Sequence, residues 1–121
     1  MSRLSEELRE RTKRYASAVI HLYVSLPRKR KEVDVLGLQL LRSGTSVAGH
    51  AREASRARST AEFCSKLDGL LQEADESGLW IELLREDCGI TGDAIGRLHQ
   101  ETGELLAIFT TMVSRLRKRG D

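Results

Sequence analysis

The sequence predicts an all-α protein, an antiparallel up-down-up-down four-helix bundle, and three observations predict it. Apolar residues recur three and four positions apart along most of the chain, the period of an amphipathic helix. No stretch shows the alternation of apolar and polar residues that a half-buried strand requires. The composition is rich in Leu, Ala, Glu and Arg and holds a single proline, Pro27, which suits long helices joined by short connections. At 121 residues, 40% hydrophobic and 31% charged, the chain can bury one modest core, so residues 1–121 are read as one domain and not as a disordered segment.

The elements follow in order. Helix one runs from about Arg3 to Leu26, with Leu4, Leu8, Tyr15, Val19, Leu22 and Leu26 on one stripe and Thr12 filling its gap. Ser2 or Ser5 can cap its start, because a hydroxyl there accepts a hydrogen bond from a free backbone N–H of the first turn. Pro27 stops it, and the run Arg28 to Lys31 connects onward. Helix two starts near Asp34, carries Leu36, Leu40, Leu41, Val47, Ala48 and Ala51, and ends between Ala54 and Arg58. Ser59 or Thr60 caps helix three, and Glu62 stands three residues after Ser59, as a capping box requires. Helix three carries Phe63, Leu67, Leu70, Leu71, Ala74, Leu79, Trp80, Leu83 and Leu84 to about Asp87, where Gly89 supplies a left-handed cap. Helix four begins after Thr91 with a heptad seam of Ile95, Leu98, Thr102, Leu105, Phe109, Met112 and Leu116.

One stretch reads against these rules. "LLRSGTSVAGHAREASRARS", Leu40 to Ser59, places Gly44, Thr45, Ser46, Val47 and Gly49 in the middle of a helix. Each Gly costs about 1 kcal/mol relative to Ala there. Gly44, Ala48 and Ala51 share one face, so the stretch is read as a small-residue surface for a tight helix–helix crossing, whose dispersion contacts offset the propensity cost. A break in the helix at Gly49 is the competing reading. A phosphate loop is rejected, because no strand precedes the stretch and no lysine follows Gly49.

The segment "QLLRSGTSVAGHAREASRARSTAEFCSKLDGLLQEADESGLWIELL", Gln39 to Leu84, resembles the four-helix bundle protein family, first noticed as proteins encoded within intervening sequences of bacterial ribosomal RNA genes. "LLRSGTSV" and "EADESGLWIELL" are its most specific parts, and the match extends to "YASAVIHLYVSLP" in helix one and to the heptads of helix four. The resemblance implies an up-down bundle that assembles as a homopentamer. It also implies kinship with the accessory protein of diversity-generating retroelements, which presents a basic surface to nucleic acid and to a reverse transcriptase. No enzymatic activity is established for the family.

The residues themselves point away from catalysis. A carboxylate-bridged di-metal bundle needs two Glu-x-x-His pairs, whereas His50 and Glu53 run in the reverse order and His99 has Gly96 at the acid position. No metal or cofactor is expected. Ser43, Thr45, Ser46, Cys64 and Cys88 lack a base and an orienting group, and the two cysteines are read as buried reduced thiols. No apolar run reaches the roughly 18 residues of a membrane span and the charged N-terminus is no signal peptide, so a cytoplasmic protein with no membrane partner is expected. Trp80 is assigned to core packing or a subunit interface, and Arg42 is expected to pair with Glu73 and Glu76.

The net charge of +2 is modest, but topology concentrates it. An up-down-up-down bundle brings Arg52, Arg56, Arg58, Arg115, Arg117, Lys118 and Arg119 to one end, joined by Arg3 and Arg9. In a cyclic oligomer that basic pole repeats, and weak phosphate contacts multiply into avidity. The function expected is therefore a non-enzymatic, oligomeric binding or scaffold protein contacting RNA or DNA through the pole, largely without regard to base sequence. The alternative is a purely structural homo-oligomer that assembles with a partner protein and never touches nucleic acid. The plainest reading of the basic tail is that it complements the negative dipole at the end of helix four.

Overall fold

A computed structural model describes residues 3–120. Four helices, α1 (Glu6–Ser25), α2 (Lys31–Ser55), α3 (Thr60–Glu86) and α4 (Asp93–Gly120), form an antiparallel bundle, and no strand occurs among the described residues.

The boundaries follow from local chemistry. Ser5 caps α1, its Oγ accepting from the Leu8 N–H at 3.2 Å, while Ser2 lies outside the described residues. Leu26 turns extended, as the residue before a proline must, and α1 ends. α2 begins at Lys31, three residues ahead of the expected Asp34, because Val33 is fully buried and its contacts draw the first turn into the helix. Ser59 Oγ accepts from the Glu62 N–H at 3.0 Å to open α3. Gly89, at φ +70°, reverses the chain so that the Ile90 N–H reaches Leu84 O at 3.0 Å.

The helices pack in a ring. α2 against α3 is the most extensive interface, α1 against α2 the next, and α1 against α4 much the least. α2 runs unbroken through the glycine-rich stretch to Ser55. A Cβ on Gly44 would lie 2.7 Å from Val19 Cγ2, and one on Gly37 2.8 Å from Leu26 Cδ1, so these positions let α1 approach closely. Ala51 is buried beside them and Ala48 half-buried, while the Gly49 position meets nothing within 4 Å.

Across the middle of the core runs a polar layer to which every helix contributes one residue. Thr102 Oγ1 donates to Leu98 O and accepts from the Tyr15 hydroxyl at 2.6 Å. Ser77 Oγ donates to Glu73 O and accepts from Ser43 Oγ at 2.7 Å. Each group is satisfied, so the layer rewards one register of the bundle at little desolvation cost. Burial pushes the Tyr15 phenol above its ordinary pKa, with the Thr102 and Ser77 hydroxyls opposing.

Candidate nucleic-acid interface

α1 and α3 begin, and α2 and α4 end, at one pole of the bundle. Arg3 fixes this arrangement: its Nε donates to Ala57 O at 3.1 Å and its Nη1 to Thr60 Oγ1 at 3.4 Å, tying the approach to α1 onto the α2–α3 connection. Two helix N-termini and two C-termini meet here, so the helix dipoles largely offset one another and the charge of the pole is set by side chains.

Those side chains divide into two groups. Arg58 lies 3.5 Å from Glu62 one turn on, and Arg117 forks onto Asp68 of α3, with Nη1 3.3 Å from Oδ1. Arg52, Arg56, Arg115, Lys118 and Arg119, by contrast, have no carboxylate partner among the described residues. On the flanks of the bundle three cations are matched. Arg11 forks onto Glu101 and Glu104 at 2.7 and 2.9 Å, and the hydrogen-bonded Glu101 carboxylate holds the guanidinium proton more tightly than usual. Arg42 spans Glu73 and Glu76 at 3.3 and 3.4 Å, and Lys66 faces Glu53 at 3.7 Å. Arg14, Arg85 and Arg97, away from the pole, have no such partner among the described residues, so the pole is set apart by how many unmatched cations it gathers rather than by their being unmatched.

The surplus frames three clefts. Arg9 and Lys13 of α1 with Arg52 of α2 and Arg56 at its C-cap line one of about 450 Å³. Arg52 and Arg56 also border a second, about 440 Å³, where Glu53 and Glu62 supply counter-charge. Arg3, Arg115 and Arg119 rim a third, about 700 Å³, floored by Phe63, Met112 and Leu116. Lys13 was not among the residues the sequence singled out. Its signal was present, because it lies one turn after Arg9 on the flank of α1 that faces α2.

The remaining chemistry-bearing residues lie elsewhere. His50 packs flat on α3, where a Cβ on Gly69 would come 2.9 Å from its Cε1. Its Nδ1 is buried 3.2 Å from Glu53 Oε1, too far out of line for a hydrogen bond. Cys64 and Cys88 are buried and free. Among the described residues no group of three or more His, Cys, Asp or Glu is placed to hold a metal ion, and no helix is long and apolar enough to cross a membrane. Trp80 is half-buried against the core, and its Nε1 has no hydrogen-bond partner among the described residues. The exposed large apolar side chains, Ile20, Val24, Val35, Leu38 and Leu79, all lie in the half of the bundle away from the basic pole.

The 23S rRNA-intervening sequence protein family matches residues 6–111. Among solved structures, a protein of unknown function from the S23 ribosomal protein family of Bacteroides thetaiotaomicron VPI-5482 is similar at 32% identity, over 87% of this chain and 96% of that one, with a TM-score of 0.79. No curated protein matches the chain.

Proposed function

The chain belongs to the 23S rRNA-intervening sequence protein family, and from that premise we propose a non-enzymatic, oligomeric binding protein that engages RNA or DNA through its basic pole. The observation that carries this reading is the surplus of cations without carboxylate partners, Arg52, Arg56, Arg115, Lys118 and Arg119, gathered at one end of a chain whose net charge is only +2. Charge-matched cations serve stability. Unmatched ones repel each other, and a polyanion relieves that repulsion by trading condensed counterions for guanidinium and ammonium groups. Nothing at the pole resembles a base-reading element, so contact is to phosphate and largely indifferent to sequence. An oligomer sharing one axis would present the pole several times over and bind by avidity.

Salt titration tests the proposal. Binding of a short RNA duplex, followed by fluorescence anisotropy, should weaken steeply with salt. Each cation neutralised, as in Arg52→Gln or Lys118→Gln, should lower the slope of log K against log salt by about 0.9. Absence of binding at low salt, or a slope indifferent to these substitutions, overturns it.

A second reading, a structural oligomer that joins a partner protein and never touches nucleic acid, is favoured by one observation. Ile20, Val24, Val35, Leu38 and Leu79 remain exposed in one half of the bundle, as a surface made for protein contact would. A charge-independent assembly with no RNA affinity would decide for it.

A further inference from the structure

We propose that the cleft between α1 and α2 is a pocket for the phosphomonoester dianion of a nucleotide, held by Arg9, Lys13, Arg52 and Arg56. The inference deepens the reading of the pole given above, and rests on it for the source of the phosphate.

The cleft is built from two facing pairs. Arg9 and Lys13 stand one turn apart on α1, while Arg52 stands in the last turn of α2 and Arg56 at its C-cap. Like charges one turn apart destabilise a helix, as on α1, and here that pair faces two further cations. One acid, Glu10, shares the lining, and no ion pair or hydrogen bond from these cationic side chains to a carboxylate occurs among the described residues. The hydroxyls of the lining are already spent on their own helices, Thr12 Oγ1 on Arg9 O and Ser55 Oγ on Arg52 O, which leaves the cations as the donors facing the space.

Arg9 supplies an independent sign of a ligand. Its Nε is buried and has no hydrogen-bond partner among the described residues. A donor already stripped of water and unsatisfied is costly in the free protein, and a turn of the half-buried Arg9 side chain toward an oxyanion in the cleft would satisfy it. Gly49 leaves the α2 wall open, since nothing lies within 4 Å of where its Cβ would be, so a ligand can come close to the backbone.

Charge and size select the ligand class. A monoester carries about −1.5 to −2 at neutral pH and offers three terminal oxygens, against one charge and two free oxygens for an internal diester. The cleft, about 450 Å³, exceeds what a lone phosphate fills and falls in the range of small-ligand sites, with room for an attached nucleoside. A strand end or a free nucleotide presents this same group, and experiment separates the two sources.

The test compares a single-stranded RNA 10-mer with a 5′-phosphate and the same strand with a 5′-hydroxyl, alongside adenosine monophosphate, by calorimetry and anisotropy on the full chain. The phosphorylated strand is expected to bind at least tenfold more tightly. That preference should vanish in Lys13→Gln and Arg52→Gln and persist in Lys118→Gln, which weakens both strands alike. Arg9→Gln serves only if its thermal melt matches the parent. Equal affinity for the two strands overturns the pocket while leaving the pole reading intact. Failure of both strands, with adenosine monophosphate binding in a Lys13-dependent manner, sustains the pocket for a free nucleotide and overturns the pole reading. Binding of none of these probes overturns both.

Discussion

Replacing Gly44 and, separately, Gly49 by Ala separates close helix approach from helix propensity. Both glycines lie inside α2, so each alanine gains about 1 kcal/mol of intrinsic helix stability. At Gly49 the new methyl meets nothing within 4 Å, and that gain should appear in full. At Gly44 it would sit 2.7 Å from Val19 Cγ2 and 2.9 Å from Cγ1, where ordinary contact begins at 3.4 Å. Val19 is fully buried and β-branched, so it has no rotamer to retreat into, and α1 must move off α2. Overpacking of this kind costs about 1–3 kcal/mol, which should separate the two variants by roughly 3–15 °C in melting temperature for a domain of this size. Thermal and urea unfolding, with unchanged m-values, read the difference. Val19→Ala in the Gly44→Ala background should restore part of the loss, a coupling absent when Val19→Ala is combined with Gly49→Ala. If Gly44→Ala stabilises as much as Gly49→Ala, the close approach of α1 is not what holds glycine at this position.

Other expectations follow from the same geometry. Because folding raises the Tyr15 pKa, the stability this group contributes is complete below its unfolded value near 10 and is lost as pH climbs through the folded value; urea melts from pH 9 to 11.5 should show a decline that Tyr15→Phe flattens. At neutral pH Tyr15→Phe should cost about 1 kcal/mol for the hydrogen bond to Thr102, measured by the same melts. Ser59→Ala removes the cap on α3 and should cost about 1 kcal/mol, which Ser59→Asp largely avoids. Arg42→Ala, whose side chain is 58% exposed, should cost under about 1 kcal/mol, and sedimentation of the variant tests whether its carboxylate fork also supports assembly.

The fold was legible because it is periodic. Tyr15, Val19, Leu22, Leu40, Leu67, Leu70, Leu105 and Phe109 are core residues that recur at helical spacing, and caps such as Ser59 are local signals. The start of α2 was not legible, since Lys31 and Glu32 are ordinary helix formers that nothing local distinguishes from a charged connection; burial of Val33, a tertiary effect, decides it. Pairings between distant residues were mostly hidden too. Ser43 with Ser77 and Tyr15 with Thr102 meet only once register is fixed. The division of the basic residues has the same origin. Topology alone gathers them at a pole, but whether Arg117 is spent on Asp68 or Arg52 left unmatched depends on which carboxylates the neighbouring helix turns toward them.

The thin contact between α1 and α4 makes the molecule an open book with α2 and α3 as its spine. Its covers are clasped by the Arg11 fork to Glu101 and Glu104, a partly buried ionic latch, and behind it by the Tyr15–Thr102 hydrogen bond. Contacts of 2.7 and 2.9 Å lie far inside the screening length of salt, so ionic strength that strips phosphate from the pole leaves this latch largely shut. Amide exchange along that edge should quicken on loss of the fork, as in Arg11→Gln, while the spine keeps its protection.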